Sequence, residues 1–116
     1  MISFNKINWH DGILRSIKII PEDRPDIYGK IELTIEVYPD NNAKDRHQLK
    51  IIFQKVQQSN ISCDFIELLD NRNAGNISNA YQKSYKPHKN LSIFRIYLVD
   101  GYIEILGEKN VKIVTP

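Results

Sequence analysis

The sequence predicts a mainly β protein, an antiparallel sandwich or strongly curved sheet with room for one short helix, and three observations carry that expectation. The aliphatic residues are dominated by isoleucine, with only three alanines, Ala43, Ala74 and Ala80. β-Branched side chains lose rotamer freedom in helices and pack well on a pleated surface. Apolar and polar residues alternate along much of the chain, the period-two signature of strands with one face in a core and one in water. Finally, 116 residues with 41% hydrophobic and 26% charged side chains suit one domain that is too apolar for disorder. Such a chain buries about two thirds of its unfolded surface and leaves roughly 6,500 Å² exposed.

The first strand is expected over Gly12 to Ile20. Pro21 to Pro25 should end it, because proline removes a ladder donor and restricts the residue before it. Lys30 to Tyr38 is the clearest strand, with every second residue aliphatic and Glu32 and Glu36 on its polar face. Pro39 to Arg46 reads as an exposed hairpin tip, followed by a strand over Gln48 to Val56. A further strand is expected over Ile61 to Leu69, with Cys63 as a small buried hydrophobe inside it. Asn71 to Asn90 breaks the alternation and is compatible with a short helix or an irregular strand. Leu91 to Val99, Tyr102 to Leu106 and Val111 to Thr115 should form a meander. Its first turn is Asp100-Gly101, a pair that tolerates the positive φ of a type I′ hairpin, and its second is Gly107 to Asn110.

No run approaches the ~18 apolar residues of a membrane span. The opening Met1 to Lys6 lacks the charged start and apolar core of a secretory signal, so the expected location is the cytoplasm. One cysteine excludes an internal disulfide and any Cys-rich zinc site. The formal net charge is only +2, too small for a dedicated nucleic-acid binder, but it is unevenly spread. Glu22 to Asp40 carries six acids (Glu22, Asp23, Asp26, Glu32, Glu36, Asp40) against Arg24 and Lys30. Asn71 to Val99 carries five bases and no acid.

Catalytic signatures are hard to find. Trp9-His10-Asp11-Gly12 joins an imidazole and a carboxylate, but neighbours in extended chain face opposite ways, and productive pairs normally come from distant residues. The favoured reading is structural: Trp9 anchors the N-terminus, and His10 or Asp11 bonds the turn at Gly12. His10, His47 and His88 show no metal-ligand spacing. Cys63 lies away from any expected turn or helix start that would stabilise a thiolate. The five glycines are isolated, so no phosphate loop or dinucleotide fingerprint is present. Neither an enzyme nor a cofactor is therefore expected. The tyrosine- and lysine-bearing stretch with Tyr81, Lys83, Tyr85, Lys86, His88 and Lys89 reads first as a solvated loop, second as a protein interface, and third as a nucleic-acid platform.

The segment Trp9-His10-Asp11-Gly12-Ile13-Leu14-Arg15-Ser16-Ile17 resembles the opening of a group of small bacterial β-rich proteins that includes immunity proteins of contact-dependent and polymorphic toxin systems. Leu49 to Val56 looks like their central strand, Asn73 to Ile77 like the following connection, and Tyr102 to Ile105 like a closing strand. The resemblance implies a monomeric domain that binds one cognate toxin 1:1 and blocks it without turnover, and it carries no catalytic residues over. Two surfaces are candidates for that partner. An acidic one (Glu22, Asp23, Asp26, Glu32, Glu36, Asp40, Asp45) would meet a cationic nuclease cleft. A basic, aromatic one (Tyr81, Lys83, Tyr85, Lys86) would meet an acidic toxin surface. The alternatives are a small nucleic-acid-binding β domain, or an enzyme in which His10 or His88 meets a distant carboxylate in a cavity.

Overall fold

A computed structural model describes residues 3–115. Met1 and Ile2, the start of the segment read for a secretory signal, lie outside them. The chain runs through a 3₁₀ turn (Phe4–Lys6), β1 (Ile13–Pro21), β2 (Gly29–Val37), β3 (His47–Val56), β4 (Gln58–Ser62), α1 (Phe65–Asp70), β5 (Ile77–Ser84), β6 (Leu91–Leu98), β7 (Gly101–Glu108) and β8 (Lys112–Val114). All pairings are antiparallel. Two four-stranded sheets result, with strand orders β1-β2-β3-β8 and β4-β7-β6-β5. The expected mainly β, sandwich-like architecture with one short helix is what forms.

Alternation builds the core as read. Ile31, Leu33, Ile35 and Val37 of β2 are buried, as are Leu49, Ile51 and Phe53 of β3, and they face Phe94 and Ile96 of β6 and Ile103 and Ile105 of β7. Phe4 closes one end of this core. Its ring lies 4.8 Å from Trp9 and 5.1 Å from Phe94, and Phe53 and Phe94 meet edge to face at 5.0 Å. Such aromatic pairs add roughly 0.5–1.5 kcal/mol each beyond their burial. Trp9 anchors the N-terminal segment as expected, its Nε1 donating to the Phe4 carbonyl at 3.0 Å.

The expectations for Ile61 to Leu69, for Cys63, for the closing meander and for its first turn are corrected, while Asn71 to Asn90 holds an irregular strand, one of its two readings. Ile61 to Leu69 is not one strand: β4 ends at Ser62 and α1 begins at Phe65. The Asp64 carboxylate accepts from the Glu67 backbone N–H at 3.1 Å, the N-cap bond that starts a helix, with a glutamate at the third helical position. Cys63 therefore sits half-buried just before that cap, not inside a strand. Asn71 to Asn90 contains β5, whose alternation is disguised by a register shift between Ile77 and Asn79. Ile77 and Ala80, three apart, are both buried, a spacing that period-two reading rejects.

The last three strands do not form a meander. β6 and β7 pair, but β8 crosses to the other sheet and pairs with β3. The reason is that β4 already occupies the second edge of β7, which leaves no ladder for β8 there. The β6–β7 hairpin turns one residue earlier than expected, over Val99 and Asp100. Only Asp100 has positive φ, 52°, and Gly101 already pairs with Leu98. Gly101 is needed for a different reason: a Cβ there would stand 2.2 Å from the Ser62 carbonyl oxygen of β4.

Candidate functional site

The acidic residues are not gathered into one surface. Glu22, Asp23 and Asp26 lie in the β1–β2 connection, while Asp40 and Asp45 lie in the β2–β3 connection at the opposite end of β2, about 30 Å away along a nine-residue strand. Between them, the outer face of β2 is paired. Glu36 accepts from the Arg15 Nε, and Lys50 reaches Glu32 at 3.8 Å. The hydrogen bond from Arg15 holds the Glu36 carboxyl below its ordinary range and the guanidinium above its own. Of the six acids in that stretch, the two on β2 are thus neutralised by neighbouring strands, and Asp26 meets Arg24 within its own connection.

The aromatic candidates do converge. Tyr81 and Lys83 stand on the outer face of β5, where Tyr81 pairs with Arg95 of β6 and Arg95 with Glu104 of β7. Arg95 donates from Nε to Glu104 at 2.5 Å and from a terminal nitrogen to the Tyr81 hydroxyl at 3.0 Å. Tyr97 and Tyr102, absent from the sequence-based candidates, pair across the same face, with 39% and 43% of their surface exposed. The Tyr81 and Tyr97 rings lie 6.2 Å apart. Tyr97 and then Arg95 favour the charged form of the Tyr81 phenol and lower its pKa, while Tyr97 is shifted upward by the same contact. Tyr85 borders a dimple of about 90 Å³ at the end of this face, shared with Asn60, Ile93, Glu104 and Leu106. Four of the six tyrosines therefore share one face, rimmed by the exposed Lys83 and Lys86.

Period-two reading contained the signal that was missed. Arg95 and Tyr97 alternate with buried Phe94, Ile96 and Leu98, so both must point outward. That they meet Tyr81 and Tyr102 depends on the pairing of three strands.

A second surface lies at the open flank of the sandwich, between the edge strands β1 and β4. Leu14, Ile17 and Ile19 are paired opposite the buried Ile35, Leu33 and Ile31, and Ile61 opposite the buried Ile103, yet nothing packs fully over them. α1 forms one lip, with Phe65 78% and Leu69 58% exposed. The groove encloses about 800 Å³. Asn76 braces it: its side chain accepts from the Leu14 N–H at 2.8 Å and donates to the Leu68 carbonyl at 3.1 Å.

The remaining candidates stay apart. His10 and Asp11 approach to 3.6 Å, both exposed, because Asp11 has φ 61° and the chain there is not extended. The turn itself is closed by backbone groups, Gly12 N–H to the Trp9 carbonyl and Asp11 N–H to the Ile77 carbonyl, and not by either side chain. His88 stacks on Tyr85 in the exposed β5–β6 turn at 6.3 Å. Burial raises the Cys63 thiol pKa, although the residue precedes a helix start. Among the described residues, no group of three His, Cys, Asp or Glu is placed to hold a metal, and no helix is long and apolar enough to cross a membrane. Compared with known proteins, the chain matches no family model, no curated sequence and no solved structure.

Proposed function

We propose that this protein is a stoichiometric binding protein, an immunity-type inhibitor that covers a toxin domain of a contact-dependent or polymorphic system. It would grip that partner through the outer face of the second sheet. The observation that supports binding is the convergence of Tyr81, Tyr85, Tyr97 and Tyr102 around the Arg95–Glu104 pair. Tyrosine and arginine are enriched at interface hot spots. Rings held on a sheet also offer large contact area at little entropic loss. The toxin part of the proposal rests on the resemblance of the segment from Trp9 to Ile17. Lys83 and Lys86 at the rim suit an acidic partner surface and would speed association electrostatically. The complex is 1:1, needs no cofactor and transforms nothing.

The test is titration against the C-terminal domain of a toxin encoded immediately upstream, with and without Tyr97→Ala and Tyr102→Ala. Saturable 1:1 binding that the double variant weakens at least thirtyfold is expected, equivalent to about 2 kcal/mol. Full affinity in the double variant would reject this face, and no binding of the wild type would reject the toxin. A second reading, a nucleic-acid platform, has the exposed tyrosines and the basic β5 edge in its favour. It requires steeply salt-dependent binding to generic single-stranded DNA or RNA.

A further inference from the structure

The flank groove is apolar along its walls and carries one uncommitted charge. Of its polar lining groups, Asn76 is held by the Leu14 N–H and the Leu68 carbonyl, and Arg15 is held by Glu36. Arg72, just beyond α1, also lines the groove and is exposed, and among the described residues no carboxylate lies within ion-pair distance of it. An apolar groove lined by one cation that has no carboxylate partner complements a molecule that is apolar over most of its length and anionic at one end. The volume of about 800 Å³ falls within the roughly 300–1,000 Å³ of small-molecule sites.

The edge of β1 argues against a strand from a partner or from a second copy. A docking strand needs a run of free backbone donors and acceptors. Here the outward N–H of Leu14 is already accepted by Asn76, and a register shift between Leu14 and Ser16 interrupts the ladder, a device that blunts sheet edges. The walls therefore offer side-chain contacts to an occupant more readily than backbone hydrogen bonds.

We propose that the groove between β1, β4 and α1 binds a free fatty carboxylate, its alkyl chain against Leu14, Ile17, Ile19 and Ile61 and its carboxylate at Arg72. None of these residues belongs to the tyrosine face, so the site is independent of the partner reading above.

Calorimetric titration with octanoate, decanoate and dodecanoate, each kept below its micelle concentration, tests it. Affinity should rise roughly fourfold for each added methylene, the increment for burying one CH₂. Arg72→Ala should weaken dodecanoate about two- to fivefold, as loss of an exposed ion pair does, while leaving dodecanol unchanged. Bound dodecanoate should also slow modification of Cys63, which lines the groove, by a thiol reagent. The exposed position Ile19 permits a second variant, Ile19→Glu, which should abolish binding of all three acids without unfolding the chain. Saturation with no dependence on chain length would overturn the proposal. So would equal binding of dodecyltrimethylammonium, binding only to intact phosphatidylglycerol vesicles, or a ligand-free dimer by sedimentation that Phe65→Glu dissociates.

Discussion

The two sheets obey the same alternation but use their water-facing sides differently. On the first, the outward residues of β1, β2 and β3 include opposite charges that pair across strands, Arg15 with Glu36 and Lys50 with Glu32. On the second, the outward residues of β5, β6 and β7 are tyrosines around one ion pair. Exposed cross-strand charge pairs add a few tenths of a kcal/mol and keep a face hydrated and self-satisfied. Part-exposed aromatic rings leave apolar area that a partner can still cover. Net charge along the chain is thus a poor guide to a charged surface, because a strand is neutralised by whichever strand lies beside it.

That contrast can be broken most severely at Gly101. Its Cβ would meet the Ser62 carbonyl, so Gly101→Ala should push β4 from β7 and destabilise the fold by about 3 kcal/mol, the upper end for overpacking, measured by urea unfolding. A loss below about 0.5 kcal/mol, that of an ordinary surface change, would show that β4 shifts freely. Next in size, Tyr97→Ala with Tyr102→Ala should cost about 2 kcal/mol or more of partner affinity. Reversing the other face, Glu32→Lys with Glu36→Lys, should lower stability by about 1 kcal/mol, since each lysine then opposes a base across the strand. It should not slow association with the same partner, since added positive charge favours encounter with an acidic surface, and a slowed, less salt-sensitive association would return the interface to the acidic residues.

The smallest effect concerns pH. Because Arg15 lowers the folded pKa of Glu36, the pair stabilises the protein above the unfolded carboxylate range, near about 4.3. That contribution disappears as pH falls through the lower folded value. Glu36→Gln should therefore cost less than about 1 kcal/mol at neutral pH, and the stability curves of variant and wild type should converge in acid. Curves that stay parallel would show that the pair does not titrate with folding.

Particular elements show where sequence reading reaches its limit. β2 was legible to within one residue at each end, and its buried face in full, because Ile31, Leu33, Ile35 and Val37 follow one period without interruption. β5 was not, because one register shift puts Ile77 and Ala80 on the same side. The helix start carried a readable mark, Asp64 three residues before Glu67, hidden by the apolar run around it. Of the tyrosine face, Tyr81 and Tyr85 were found from local composition. Tyr97 and Tyr102 lay inside segments already read as strands, and their convergence requires knowing that β6 lies between β5 and β7.

The amino-acid sequence by itself determined that the chain is β-rich, which side of its regular strands is buried, and that Trp9 is an anchor, because these follow from side-chain type and local period. Only the tertiary structure decided that β4 takes the edge of β7 and sends β8 to the other sheet, that the acidic strand is neutralised, and that a groove stays open between β1 and β4. Those outcomes depend on which backbone edges meet. Edge pairing joins residues far apart in the chain through hydrogen bonds that every residue type except proline can donate.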